Sequence, residues 1–223
     1  MEVTLINCPA VSGDLIAGMA AALCANGKNA PRSLDHALES GHTSVAEHAT
    51  YTFIVEGVSR ALLAQLTRHR IASFSVQSQR YVSMADGFDY VIPPSIEALG
   101  CGALEDYNRQ MRLIHEWYCQ WQERLEKAGY KSEEANEDAR FVLPNATCTK
   151  LMVTMNAREL MHFFELRCCN RAQWEIRELA WKMMEAVKAV APRLFRDAGP
   201  GCVRGHCPEK RSCGRPYKKE ESE

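Results

Sequence analysis

The sequence predicts an α+β fold, a mostly antiparallel sheet packed against long helices. Three observations carry this. Runs near residues 1–8, 49–56 and 147–155 are β-branched or alternate apolar with polar residues, the period of a half-buried strand. Long stretches, 95–129 and 172–190 above all, carry their apolar residues at helical spacing. The composition, 46% hydrophobic and 25% charged over 223 residues, is that of a globular chain with room for a sizeable core.

The elements follow in order. Asp14 to Ala25 reads as a helix closed by Asn26-Gly27, and Ser33 as the cap of a second helix ending near Gly41. Gly41-His42-Thr43-Ser44-Val45-Ala46-Glu47-His48 is a polar link. Thr50 to Val55 is a strand, and Ser59 to Arg70 a helix carried by Leu62, Leu63 and Leu66 and ending in cations. Ser73 to Val82 shows no periodic core face. After Pro93-Pro94 comes the long helical stretch, interrupted near Gly100-Cys101-Gly102. Ser132 opens a helix with acidic first turns, which Pro144 ends. Cys148 to Met155 is a strand. Asn156-Ala157-Arg158-Glu159 then has capping-box spacing and opens a helix to about Cys168. Residues 1–195 form a single domain in this reading. From 196 to 223 the chain becomes a Cys-, Gly- and Lys-rich tail that leaves the core.

Lys and Arg number 27 against 28 Asp and Glu, a net charge of −1. That balance argues against a protein that coats nucleic acid or an acidic membrane face. No run approaches the ~20 apolar residues of a membrane-spanning helix. Met1-Glu2-Val3-Thr4-Leu5-Ile6 lacks the basic start of a secretory signal. A cytoplasmic location is expected. Of the ten cysteines, seven are scattered through apolar or helical sequence, as reduced buried thiols are. Cys202, His206, Cys207 and Cys213 have a spacing too irregular for an ordinary zinc site. A surface tail of free thiols is the favoured reading and no metal is expected, with zinc the alternative. The cations of 204–219 read as a solvated tail, or as a contact for phosphate or a neighbouring subunit.

The most informative segment is Arg68-His69-Arg70-Ile71-Ala72-Ser73-Phe74-Ser75-Val76-Gln77-Ser78-Gln79-Arg80-Tyr81. It reads either as a solvated loop after a helix or as an anion site. Guanidinium forks suit phosphate, and serine hydroxyls complete an oxygen shell. Gln77 and Gln79 offer the donor and acceptor that a pyrimidine amide edge requires.

This segment resembles the Arg-His-Arg signature of the flavin-dependent thymidylate synthases. Gly41-His42 through Glu47-His48, Asn156-Ala157-Arg158 through Arg167 and Ala172-Gln173-Trp174-Glu175-Ile176 resemble further elements of that family, in family order over roughly 1–195. The sequence departs from the pattern at Ser75 and Val76, where relatives commonly carry Asn and then Glu or Gln; here the amide stands next door, at Gln77.

The resemblance implies methylation of dUMP to dTMP, with FAD as cofactor and methylenetetrahydrofolate and NADPH as co-substrates. It further implies a homotetramer whose sites are shared between subunits. By motif, FAD is assigned to His42, Ser44, Glu47, Arg68, His69, Arg70, Asn156, Arg158 and His162. The nucleotide is assigned to Gln65, Arg68, Val76, Gln77, Ser78, Gln79, Arg80, Arg140 and Arg167. Arg167 is the expected central catalytic residue, a fixed cation that stabilises charge building on the uracil ring. Ser78 is the second catalytic candidate, read as an orienting group because a serine nucleophile needs an adjacent base. Cys168 and Cys169 are read as structural. The alternative is a non-catalytic nucleotide- or RNA-binding module built on the 68–80 arginine block.

Overall fold

A computed structural model describes residues 1–205 and 207–217. His206, Lys218 and Lys219 of the basic, thiol-bearing tail lie outside the described residues. Four strands form one antiparallel sheet, β1 (Glu2–Asn7), β2 (Thr50–Ser59), β3 (Ala72–Val76) and β4 (Cys148–Asn156), in the order β1-β2-β4-β3. The α+β expectation holds. The helices are α1 (Gly13–Cys24), α2 (Ala30–Glu39), α3 (Arg60–Leu66), α4 (Pro94–Glu97), α5 (Cys101–Lys127), α6 (Ser132–Ala139), α7 (Ala157–Arg167) and α8 (Trp174–Val190). Among the described residues no helix is long and apolar enough to cross a membrane.

Several boundaries differ from the sequence reading, each for a local reason. The cap of α2 is Asn29, whose side chain accepts from Arg32 N–H, and Ser33 lies within the helix. The polar link at 43–48 is a 3-10 turn. Helix α3 stops at Leu66; beyond it His69 turns into the interior while Arg68 and Arg70 on either side face out. Residues 72–76 form a strand that the sequence reading left unassigned. Its apolar positions, Ala72, Phe74 and Val76, alternate with serines and are the half-buried ones.

The chain divides into two compact units: residues 1–55, 65–74 and 152–223 in the first, and 56–64 and 75–151 in the second. In the first unit α1 packs on α2, and α7 on α8. The first pair approaches closely because Gly18 has no side chain; a Cβ there would stand 2.6 Å from the Ala30 carbonyl oxygen. Tyr51 and Phe164 both meet the Phe195 ring edge-on, at 5.5 and 6.2 Å. Leu194 and Phe195 are buried, and the Asp14 carboxylate accepts from Leu194 N–H at 2.7 Å and Arg193 N–H at 3.1 Å.

In the second unit, Tyr118 of α5 is the centre of a small core with Met84 and Ala139. Its hydroxyl donates to Asn136 Oδ1 of α6 at 3.1 Å and accepts from Met84 N–H at 3.2 Å. Asn136 is itself buried, and its amide donates to the Arg80 carbonyl at 3.1 Å. This buried polar hub fixes the backbone of the segment that carries Ser78, Gln79 and Arg80.

Candidate functional site: a cationic cleft and an arginine cluster

The first unit contains a cleft of about 650 Å³ lined by Glu47, Arg68, His69, Arg70, Ile71, Asn156, Arg158, Glu159, His162, Leu166 and Arg167. Helix α7 supplies much of it. The helix begins where β4 ends, and Asn156 caps it by accepting from Glu159 N–H at 2.9 Å. That cap puts Arg158 and His162, four residues apart, on one face. Arg158 forms an ion pair with Glu47 from the 3-10 turn; both are about half exposed, so the pair is weakly held.

The floor of the cleft is polar and buried. His69 and Glu159 are 5% and 7% exposed, and His69 Nδ1 lies 3.0 Å from Glu159 Oε1. Arg167 Nε donates to His69 Nε2 at 3.3 Å. Burial pushes the His69 imidazole below its ordinary range, the hydrogen bond to Glu159 opposes this, and Arg167 and His162 add to the depression. Arg167 is also held below the usual guanidinium value, first by burial and then by Arg68. Four arginines, Arg68, Arg70, Arg158 and Arg167, thus share one cleft, a good setting for an anion.

Of the residues assigned from sequence to the flavin, Glu47, Arg68, His69, Arg70, Asn156, Arg158 and His162 line this cleft. His42 precedes the 3-10 turn, makes no capping hydrogen bond with its side chain and is exposed, while Ser44 lines a separate hollow with Met19 and Leu23 of α1. Of the residues assigned to the nucleotide, Arg68 and Arg167 line the cleft, and Gln65 is half-buried on α3.

The remaining nucleotide residues belong to the second unit. Val76 ends β3, and Gln77 N–H donates to the Lys150 carbonyl at 2.9 Å. The Ser78 hydroxyl accepts from Arg80 N–H at 3.1 Å, a turn-forming bond. Gln79 is 7% exposed, and its Nε2 has no hydrogen-bond partner among the described residues. Arg80 Nε meets Glu137 Oε2 at 2.9 Å, and Arg140 Nε donates to the Glu137 carbonyl at 3.0 Å. One residue of α6 thereby steadies both guanidinium groups.

Two residues escaped the sequence reading. Glu159 is read there only as a helix-capping carboxylate, yet its side chain is committed to His69. Arg60 begins α3, and its Nη1 is buried without a hydrogen-bond partner among the described residues. Burial and the neighbouring Arg140 both lower its pKa. The available signal was a lone cation in the apolar run Val58-Ser59-Arg60-Ala61-Leu62-Leu63. The cysteine readings need correcting: of the seven scattered thiols expected to be buried only Cys168 is, while Cys24 and Cys101 are exposed and Cys8, Cys119, Cys148 and Cys169 are half-buried. Cys168 is buried, which pushes its thiol up to about 12, far from a reactive thiolate. Cys202 and Cys213 accept hydrogen bonds from Tyr217 N–H and Arg215 N–H.

Fold and cleft define an α+β protein that gathers arginines and histidines in one cleft, a lining whose charge suits anions. Comparison with known proteins narrows this class. A family model described as thymidylate synthase complementing protein matches residues 10–193. A flavin-dependent thymidylate synthase of Geobacter sulfurreducens is 53% identical over 184 residues, covering 82% of this chain and 75% of the relative. The enzyme of the same name from Nitratidesulfovibrio vulgaris is 53% identical over 181 residues, with 80% and 73% covered. That from Clostridium tetani is 48% identical over 193 residues, with 82% and 76% covered. The chain belongs to the flavin-dependent thymidylate synthase family.

Proposed function

We propose that the chain methylates dUMP to dTMP, with FAD as the flavin, methylenetetrahydrofolate as carbon donor and NADPH as reductant. It would work as a homotetramer with sites shared between subunits, in the cytoplasm. The observation that carries this reading is the cleft that gathers Arg68, Arg70, Arg158, His69 and His162, with Arg167 hydrogen-bonded to its buried floor. The non-catalytic nucleotide- or RNA-binding alternative is not favoured, because the matching relatives named above are enzymes.

The cleft fits a flavin dinucleotide on two counts. Its volume lies in the ~300–1,000 Å³ range of cofactor sites. Its guanidinium groups suit a pyrophosphate, and the half-exposed Glu47–Arg158 pair yields readily to a stronger anion. Arg68, Arg70 and Arg158 would hold the pyrophosphate, with Asn156 and His162 at the ring systems. When bound, the flavin supplies the hydride relay between the reductant and the transferred carbon.

The chain's own residues bind, orient and polarise. Arg80 and Arg140 would take the nucleotide phosphate, with Gln77 and Gln79 at the uracil amide edge. The orphaned, buried Nε2 of Gln79 supports that role, since such a donor awaits an acceptor. Arg167 would face the uracil carbonyl edge, where its fixed charge lowers the barrier to building electron density at C5. Ser78, already engaged by Arg80 N–H, would orient the nucleotide. The test is to purify the chain and follow dUMP-dependent NADPH oxidation and dTMP formation with methylenetetrahydrofolate. A yellow protein that makes dTMP is expected; a colourless protein with salt-sensitive RNA affinity would reverse the reading.

A further inference from the structure

We propose that Glu159 is a positioning residue for Arg167, acting through His69. The inference rests on the reading of Arg167 given above and adds a residue to it.

Hydrogen-bond polarity makes the argument. A guanidinium carries only donors, so the Nε2 of His69 that faces Arg167 Nε at 3.3 Å is the acceptor. An imidazole that accepts at Nε2 holds its proton on Nδ1, and that proton points at Glu159 Oε1, 3.0 Å away. The chain of donation therefore runs from Arg167 to His69 to Glu159. The tie takes up Nε of Arg167 and leaves its two terminal amino groups for a ligand. The Phe163 ring stands edge-on to the imidazole at 5.0 Å and limits its swing.

Glu159 occupies the position at which a capping-box carboxylate would turn back to the start of its own helix. Its commitment to His69 instead ties α7 to the segment bearing Arg68 and Arg70. Helix α7 thus holds both ends of the tether, Glu159 and Arg167, while His69 comes from a different part of the chain.

The tether has a pH signature. The charged and titratable groups around His69 are Glu159, His162 and Arg167 from α7, and Arg68 and Arg70 on its own segment. Burial, Arg167 and His162 disfavour the imidazolium, and Glu159 favours it. The working form is neutral; protonation at Nε2 would set N–H against N–H and break the bond to Arg167. An acid limb in kcat should follow. Removing the Glu159 charge removes the contribution that raises the His69 pKa, so the limb should move to lower pH.

The experiment uses flavin-loaded wild type, Glu159→Gln and Glu159→Leu. Glu159→Gln keeps an acceptor, so its kcat on the plateau should stay within about fivefold of wild type while the acid limb moves down by about a unit. Glu159→Leu should lose kcat about 30-fold with KM for dUMP changed by less than about threefold. An unmoved or upward-moving limb in Glu159→Gln overturns the proposal, as does wild-type kcat in Glu159→Leu. If Glu159→Leu fails to fold, the limb of Glu159→Gln decides alone. Nitrogen-15 NMR of labelled histidine provides a readout apart from turnover. His69 should be protonated on Nδ1 in wild type and give a mixture of tautomers in Glu159→Leu; an Nε2-protonated neutral His69 in wild type also overturns the proposal. Absence of dTMP formation by wild type would instead sink the reading of Arg167, with the tautomer still reporting on the tether.

Discussion

The two units hold their arginines in opposite ways. In the first, the cleft carries its own carboxylates: Glu47 pairs with Arg158, and Glu159 holds the histidine to which Arg167 is bonded. In the second, Glu137 serves both Arg80 and Arg140, while Arg60 leaves a buried donor without a hydrogen-bond partner among the described residues and feels the charge of Arg140. In the cleft, Arg158 and Arg167 are held by partners before a ligand arrives, although Arg68 and Arg167 repel there too, so for those two groups binding exchanges one partner for another and compensation is a matter of degree. An undercompensated cluster carries repulsion that an incoming dianion relieves. The first arrangement favours orientation; the second favours capture of a phosphate.

The largest effect should come from the compensated side. Arg167→Ala should lower dTMP formation by at least about 10³-fold, as loss of a donor to developing charge does. The visible flavin spectrum should persist, because the other cleft cations remain. Arg167→Lys should recover little, since an ammonium lacks the planar fork that gives one edge to His69 and another to a ligand. Turnover within tenfold of wild type in Arg167→Ala would remove the residue from the chemistry.

Next comes the support beneath the second unit's cluster. Asn136→Ala deletes the amide that holds the Arg80 carbonyl and strands the Tyr118 hydroxyl. A buried network broken at its centre should cost about 2–4 kcal/mol of stability, measurable by urea denaturation. KM for dUMP should rise as well, because the backbone at Arg80 loses its anchor. A stability loss with unchanged KM would separate the hub from the nucleotide.

How far the sequence foretold this contrast depends on the physics of each part. Part of the cleft was legible: Asn156 as a cap and the unusual arginine run follow from short-range spacing, while Arg158 and His162 came with the family resemblance. Strand β4 and helices α7 and α8 were legible for the same reason, since periodicity and caps are local. Strand β3 was missed because its alternation relies on small serines, which weaken the polar contrast of a short run. Glu159 and Arg60 were missed because their meaning lies in partners far along the chain. A carboxylate at a capping position looks satisfied until His69, ninety residues earlier, is seen beside it. A lone arginine looks like an ordinary surface cation until Arg140 arrives next to it.

The smallest predicted effect is also the sharpest probe of the comparison. Arg60→Gln and Glu47→Gln each remove one charge, one from each unit. In the undercompensated cluster, Arg60→Gln should raise the melting temperature of the ligand-free protein slightly, because a partly buried, repelled cation is gone. It should also shrink the additional stabilisation that dUMP gives and raise KM for dUMP by about three- to tenfold. In the compensated cleft, Glu47→Gln frees Arg158 and should tighten flavin binding by no more than about fivefold, since an exposed pair contributes little. Melting curves with and without dUMP read the first effect, and flavin titration of the apoprotein reads the second. Arg60→Gln that destabilises the free protein and leaves dUMP stabilisation intact would mean that the cluster is compensated after all. The contrast between capture and orientation would then have to rest on the cleft alone.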